Sequence, residues 1–407
     1  MNDTPILLVI ALVLSFTLIL HLVKKRVNLG FATMGGGLLL ALLAGLSINE
    51  ITRVFIYALL DRATIELVVD VFLIIVLSKM MEEYGVIPKM VENLEKMIGS
   101  SKSMLFIIPS ILSTFTATGA AIVAAPVIDT LGENVGISKA RKAAINLYIR
   151  HSWYFVLPLS VSLLNAAYIA DIPLIELIKA QIPITLACLV AGYFVYIAPI
   201  KVEKKGLSSS RSKEVALKAL LYTSPLLLCV LLVIWVPFYI ALIMACLLTY
   251  LIRDKDKRIY DVLVKGQAKG YNLIFAVAGI MVFKDVIQNI PGMQQLMQEI
   301  TGLGIPVWLA GVLLAAILAF ISGSTQIVTA MLYPLLLPLV PPQEIVALAM
   351  LIYTTGFTTY FISPIHLCQA LTNEFFEVSI AELYREYYIT VPVMFLSGLV
   401  TYFFLIS

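Results

Sequence analysis

Residues 305–343, IPVWLAGVLLAAILAFISGSTQIVTAMLYPLLLPLVPPQ, contain no Asp, Glu, Lys or Arg. The stretch is far longer than the roughly 20 residues that one helical crossing of a bilayer takes. Yet its centre, Ser322-Gly323-Ser324-Thr325-Gln326, is small, polar and carries a glycine. A lipid-facing loop at that depth would leave backbone N–H and C=O groups unpaired, at several kcal/mol each. The pattern therefore predicts two short helices over 305–340 that fold back as a re-entrant hairpin. Its tip must lie in protein or face a water-filled cavity. Residues 103–131 have the same character around Ser113-Thr114-Phe115-Thr116-Ala117-Thr118-Gly119.

Composition sets the class in which these hairpins belong. The chain is 61% hydrophobic and 13% charged, with a mean hydropathy of +0.99. Soluble domains carry about 25% charged residues. Segments 104–128 and 219–252 are also free of charged residues. A secreted protein, a nucleic-acid binder and a cytosolic enzyme are excluded, and continuous rather than alternating apolar runs exclude a β-barrel. The class is an all-α polytopic protein of a cytoplasmic or inner membrane, with the lipid bilayer as its first partner. Cys188, Cys229, Cys246 and Cys368 all lie in apolar runs without metal-ligand spacing. They read as small core residues rather than disulfides or metal ligands. The first apolar run, Pro5 to Val23, is followed by Lys24-Lys25-Arg26 and lacks a small-residue cleavage site, so it reads as a retained span.

Ten spans are expected, at 5–23, 29–47, 63–81, 143–169, 180–200, 217–235, 238–252, 268–285, 345–371 and 388–406. With the N-terminus outside and both hairpins re-entrant, only Arg53, Arg62, Lys179 and Lys284 of the 28 Lys and Arg fall on the outer side. That asymmetry satisfies the positive-inside rule, and it places both termini outside.

Comparing the chain with itself at an offset near 205 gives matches in one order. Lys79-Met80-Met81 before Val86-Ile87-Pro88 parallels Lys284-Asp285-Val286 before Asn289-Ile290-Pro291. Amphipathic stretches follow at Met90–Ile98 and Met293–Ile300, and then the hairpins, with Ile122-Val123 opposite Ile327-Val328. Tyr154-Phe155-Val156-Leu157-Pro158 lies opposite Tyr360-Phe361-Ile362-Ser363-Pro364. Each half holds five spans and one hairpin, so the second copy is inverted, as in secondary transporters. The first repeat covers 1–200, with 5–47 as scaffold and 63–200 as a transport unit containing hairpin 103–131. A linker at 201–215 lies on the cytoplasmic side. The second repeat covers 216–407, with scaffold 217–252 and transport unit 268–406 containing hairpin 305–340.

Hairpin tips at the midplane offer helix N-termini for anions and free carbonyls for small cations. Expected solute contacts are Thr116, Thr118, Gly119, Ser322, Gly323, Ser324 and Thr325. Asn146, Thr355, Ser363 and His366 join them from the spans after the hairpins, which Pro158 and Pro364 interrupt. Ser113, Thr114, Gln326, Thr358 and Thr359 are expected ion contacts, with Na⁺ at the tips. Asp70, isolated in an apolar span, is an ion- or proton-coupling candidate or else a structural partner of Lys79, Arg150 or Lys284. His366 reads equally well as a packing histidine, and small hydroxyls equally well as helix-packing residues. Arg150 could hold an anion, but the favoured reading is an arginine that snorkels to the membrane surface. Gly35-Gly36-Gly37 reads as a packing feature. No catalytic motif or nucleotide fingerprint appears, so the chain is expected not to be an enzyme and to need no cofactor beyond Na⁺ or H⁺.

Thr118-Gly119-Ala120-Ala121 with Ala124-Ala125-Pro126-Val127, and Ile362-Ser363-Pro364-Ile365-His366-Leu367, resemble the ion transporter superfamily. That superfamily holds gluconate, citrate, dicarboxylate and arsenite carriers and TRAP-type membrane subunits. Within it the chain is most similar to a prokaryotic family termed domain of unknown function four-hundred-one. The resemblance implies a homodimer whose transport units move by an elevator-like mechanism against a scaffold of the first two spans of each half. Sodium-coupled dicarboxylate members carry Ser-Asn-Thr at both tips. Here the tips read Thr116-Ala117-Thr118 and Ser322-Gly323-Ser324-Thr325, without asparagine.

The function expected is secondary active transport of a small anionic, carboxylate-type organic solute, by Na⁺ or H⁺ symport. A cation/proton antiporter centred on Asp70 and a membrane subunit of a binding-protein-dependent transporter are the alternatives.

Overall fold

A computed structural model describes residues 4–114, 119–201, 212–255, 257–259, 268–293, 295–296, 299, 302 and 304–407. Among them are nineteen α-helices and no strands. In chain order they are α1 (Thr4–Lys24), α2 (Leu29–Leu43), α3 (Ile48–Leu60), α4 (Arg62–Glu83), α5 (Val86–Ile98), α6 (Ser101–Leu112) and α7 (Gly119–Asn134). Next come α8 (Lys139–Ser152), α9 (Val161–Ala170), α10 (Leu174–Gly192), α11 (Lys213–Leu232), α12 (Phe238–Leu251) and α13 (Ala268–Asn289). The last six are α14 (Val307–Ser322), α15 (Thr325–Leu336), α16 (Ile345–Phe361), α17 (Leu367–Phe376), α18 (Ile380–Glu386) and α19 (Thr390–Ile406).

Five helices are long and apolar enough to cross a membrane, or six if the bent pair α18 and α19 is one span. Large side chains such as Trp235, Phe194, Leu247, Val400 and Phe404 stand exposed on the outside. Water would not tolerate so much apolar surface, whereas lipid does. The fold is that of a multi-pass, all-helical membrane protein.

The ten expected spans meet helices, but several are shorter or broken. Residues 29–47 shorten to α2, because the chain turns at Gly45 with φ +83°. Residues 143–169 split into α8 and α9 around Pro158, and 345–371 split into α16 and α17 around Pro364. Segment 48–60, left as a connection in the span count, is a helix opened by a capping box between Ser47 and Glu50. That Ser-x-x-Glu pattern is a recognisable start signal.

The freed backbone groups at the two breaks find partners. In the first, the Trp153 carbonyl accepts from the amides of Val156 and Leu157, and the Tyr154 carbonyl accepts from the Tyr353 hydroxyl. In the second, the Ile362 carbonyl accepts from the Tyr384 hydroxyl, and the Ser363 carbonyl accepts from the His366 amide. Buried irregular backbone persists at depth only when satisfied in this way.

The second half of the chain follows the order of the first at a fixed displacement. Positions 139 and 345, which open α8 and α16, lie 206 apart, as do 161 and 367, which open α9 and α17. Asp171 and Glu377, again 206 apart, both close their helices at φ 54°. The halves also interlock. α7 packs on α17, and α15 packs on α9. At one end Lys139 pairs with Glu377 and Arg141 with Glu386, at 2.5 and 2.6 Å. Nearby, Lys102 Nζ donates to the carbonyls of Ala198 and Ile200.

Two crossings are set by glycine. A Cβ on Gly30 would lie 1.9 Å from the Phe275 carbonyl oxygen, and one on Gly279 would lie 2.3 Å from the Gly30 oxygen. Helices α2 and α13 therefore touch backbone to backbone. Gly36 presses on Ile19, and its carbonyl accepts from Ser15 Oγ at 2.6 Å. Within the Gly35-Gly36-Gly37 run, packing is thus the role the contacts bear out. Gly30→Ala or Gly279→Ala should destabilise the protein by about 1–3 kcal/mol, the usual cost of overpacking a close contact. A Cβ on Gly35 meets only Leu22, at 3.8 Å, so Gly35→Ala should melt with the wild type. Thermal unfolding of the three variants in detergent checks the contrast.

Candidate functional site

Where the two breaks meet, the interior is polar. α8 delivers Arg150 and His151 to the edge of the first break, and the second break delivers His366, Cys368 and Gln369. Arg150 and His366 are 1% exposed and His151 is fully buried. The snorkelling reading of Arg150 therefore fails, because its guanidinium turns inward among aromatic rings. Its Cζ lies 5.8 Å from the centroid of the Tyr154 ring, and its Nη2 donates to Cys368 Sγ at 3.5 Å. Nε and Nη1 make no hydrogen bond, and among the described residues no carboxylate pairs with this cation.

The two imidazoles lie with ring centroids 5.0 Å apart, and the Tyr360 ring lies tilted against His366 at 4.1 Å. His151 Nδ1 faces the Leu147 carbonyl at 2.7 Å, and His366 Nδ1 faces the Phe361 carbonyl at 3.2 Å. A carbonyl only accepts, so each neutral ring carries its proton on Nδ1. That leaves an acceptor lone pair on each buried Nε2, and neither has a partner. Gln369 Oε1 is unpartnered too, while its Nε2 donates to the Ser363 carbonyl at 3.4 Å. The site thus offers two free cationic N–H-bearing nitrogens and several free acceptors. Helix α17 begins at the cluster, with Cys368 in its first turn, and has no side-chain N-cap. Uncapped N-termini add partial positive charge.

The expected site residues divide between this centre and its surroundings. His366 is a core member, and Ser363 ties the second break to α14, with Oγ donating to the Phe320 carbonyl at 2.8 Å. Asn146, fully buried one turn before Arg150, donates to Thr372 Oγ1 at 3.3 Å. Thr355 is buried with its hydroxyl unpartnered. Thr358 and Thr359 bond back to the carbonyls of Thr354 and Thr355, which uses their hydroxyl protons within α16. Thr354 donates to Gln181 Oε1 at 3.0 Å, linking α16 to α10.

At the second turn Ser322 Oγ donates to the Leu318 carbonyl, Gly323 stands at φ +60°, and Ser324 caps α15 by accepting from the Ile327 amide. Thr325 is buried, and Gln326 is half-buried, its carbonyl receiving Thr329 Oγ1. In the first turn Ser113 and Thr114 bond back to the carbonyls of Ser110 and Ile111. Gly119 opens α7. Thr116 and Thr118 lie outside the described residues.

Asp70 occupies a second polar centre. It is fully buried, with Oδ2 accepting from the Tyr168 hydroxyl at 3.0 Å and Oδ1 unpartnered. Lys284 Nζ donates to the Tyr168 carbonyl at 3.5 Å, whereas Lys79 pairs with Glu82 and Glu83. Asp70 lines a cavity of about 820 Å³ with Asp61, Glu66, Tyr168, Asp171 and Lys284.

With this geometry in hand, comparison with known families is informative. A family model described as "Protein of unknown function (DUF401)" matches residues 7–405. The chain belongs to the DUF401 family. No curated protein matches it.

In this DUF401 protein Arg150, His151, Cys368 and Gln369 lie outside the set of residues expected to form the site. The Arg150-His151 pair inside an apolar span was the available signal. Only the packing shows that it faces inward.

Gly323 is the position at the second turn where an L side chain is strained twice. Its αL conformation costs a non-glycine residue about 1–2 kcal/mol, and a Cβ would meet Ile365 Cγ1 at 2.7 Å. Gly323→Ala should lower the melting temperature, and adding Ile365→Ala should recover the clash but not the backbone cost. Full recovery, or none, would contradict this partition.

Proposed function

We propose that this chain is a secondary active transporter of a small anionic, carboxylate-type organic solute, coupled to Na⁺ or H⁺. Its architecture under this reading is two inverted repeats, each of five spans and one re-entrant hairpin, working as an elevator-like homodimer. Both termini lie outside. The constant displacement of 206 between α8–α9 and α16–α17 supports the repeat. So does the exchange in which the inner arm of each hairpin packs on the other half's broken span. Residues read as outer, namely Arg62 and Lys284, share one cavity, which supports the orientation. Membership of the ion transporter superfamily is part of the same proposal.

The observation that carries the reading is Arg150. A buried cation without a counter-charge costs several kcal/mol, and here it stands against the first turn of α17, where the two broken spans meet. A carboxylate placed against Nε and Nη1 would offset that cost. The close backbone contact of α2 with α13, matched by the packing of α12 on α4, favours one adjustment. The third span of each half travels with the scaffold, and Asp70 then lies where the scaffold meets α9 of the moving unit.

Uptake into proteoliposomes under an imposed Na⁺ or H⁺ gradient tests the function. No solute moving across a broad carboxylate panel would sink it. Arg150→Met should raise the melting temperature of the ligand-free protein, because it removes an uncompensated charge. It should also abolish the carboxylate-induced rise that binding to the folded state produces. Losing that partner costs about 2 kcal/mol or more, which is roughly 30-fold in affinity. An equal ligand shift in wild type and Arg150→Met would remove Arg150 from the site.

The Asp70 centre favours a second reading, cation/proton antiport without an organic solute. Asp70→Asn discriminates between them. Under solute symport it should leave carboxylate binding intact and uncouple uptake from the ion gradient. Under antiport it should abolish a cation-driven pH change that needs no solute.

A further inference from the structure

The donors and the acceptors of the Arg150 cluster call for different partners. Two free guanidinium nitrogens attract an anion, but two neutral imidazole lone pairs and a sulfur repel one. One ring nitrogen of His151, one of His366 and Cys368 Sγ all lie within 4.8 Å of one another. In a tetrahedral zinc site such atoms lie about 3.3–3.7 Å apart, given Zn–N and Zn–S bonds of about 2.0–2.3 Å. Small side-chain rotations close that gap. Both rings already have the outer arrangement of metal-bound histidine, with Nδ1–H held on a backbone carbonyl and a buried Nε2 without a partner. Arg150 Nη2 donates to the sulfur, the contact that favours a thiolate. Unlike the reading of Cys368 as an inert core residue, this arrangement gives it a chemical task.

We propose that His151, His366 and Cys368 bind a borderline-soft transition-metal dication of the Zn²⁺ class, leaving a fourth position open toward Arg150. On binding, the Cys368 S–H bond breaks, a metal–sulfur bond forms, and the proton leaves to solvent. The dication, the thiolate and the guanidinium then sum to two positive charges. A dicarboxylate cancels both, with one oxygen on the metal and another on Arg150. The open position for a carboxylate rests on the transport reading of Arg150, whereas the three-ligand metal site does not. The ligands come from both halves, His151 from α8 and the other two from the second break, so the ion would fasten the broken spans to each other.

The test is a Co²⁺ titration of the purified full chain after chelator treatment. Co²⁺ should bind one per chain, with a sulfur-to-cobalt charge-transfer band and the intense visible bands of four-coordinate cobalt, and Zn²⁺ should displace it. Cys368→Ser should remove the charge-transfer band, and His151→Gln or His366→Gln should weaken binding at least tenfold. A band that persists in Cys368→Ser, or the absence of any band in wild type, overturns the site. X-ray absorption of the zinc-loaded wild type needs no variant to fold. One sulfur and two imidazole scatterers support the proposal, and an all-oxygen shell overturns it. Succinate added to the cobalt protein should shift the visible bands in wild type and not in Arg150→Met. No shift overturns the fourth-ligand assignment. Failure of Co²⁺ to bind while carboxylates still stabilise the protein overturns the metal site and leaves the transport reading standing.

Discussion

A guanidinium cannot shed its proton inside a protein, so Arg150 must find a counter-charge, a strong acceptor or a ligand. In the structure it has an aromatic face and one sulfur. Much of the surrounding architecture serves to make such a place possible. Helix α8 ends two residues after Arg150 and tightens into a 3-10 turn over Trp153–Phe155 before the chain breaks. The opposing break in the second half brings His366 and Cys368 to the same point. Aromatic rings from Tyr154, Phe357, Tyr360 and Phe361 wall off the remaining space. Low polarity around the cluster strengthens every charge interaction within it, which is what makes an unfilled position there costly and a filled one selective.

Breaks of this kind have to be supported from outside. Each leaves carbonyls that a continuous helix would have satisfied, and each is repaired by a side chain from a distant helix. Tyr353 reaches across to the first break, and Tyr384 reaches back to the second. The first half consequently leans on the second to complete its broken span, whereas the second half repairs its own. Glycine plays the complementary part at the periphery, where Gly30 and Gly279 let α2 and α13 meet without side chains between them. One region is held by polar repair and the other by backbone contact. Under the transport reading, that contrast separates a moving unit from its scaffold.

The fold was legible wherever the signal was local. Uncharged runs gave the membrane class, Pro158 and Pro364 marked the interruptions, and Ser322-Gly323-Ser324 read as a turn between short helices because glycine suits φ +60° and serine suits an N-cap. The site was less legible because burial is not local. Arg150 at the same position could have faced lipid headgroups, and nothing in the residues around it decides which way it turns. The hydroxyls of Thr358 and Thr359 looked like ligands from their spacing, yet helix geometry lets them bond to their own backbone. Cys368 carried no motif, because its partners lie two residues away on one side and more than two hundred on the other.

Helix α9 connects the two polar centres. It has ten residues, which is about 15 Å of helix. Its N-terminal end follows the break that carries Tyr154, and near its C-terminal end Tyr168 donates to Asp70. Between them Asn165 is fully buried, with both amide atoms unpartnered. A buried amide with no partner on so short a helix is expensive to keep unless that helix changes partners. The arm α15 of the second hairpin also packs on α9, so a displacement of the hairpin would be felt at the Tyr168–Asp70 contact. Under the transport reading, coupling then needs no long relay. Movement of that hairpin would reach Asp70 through α9 and the Tyr168 hydroxyl.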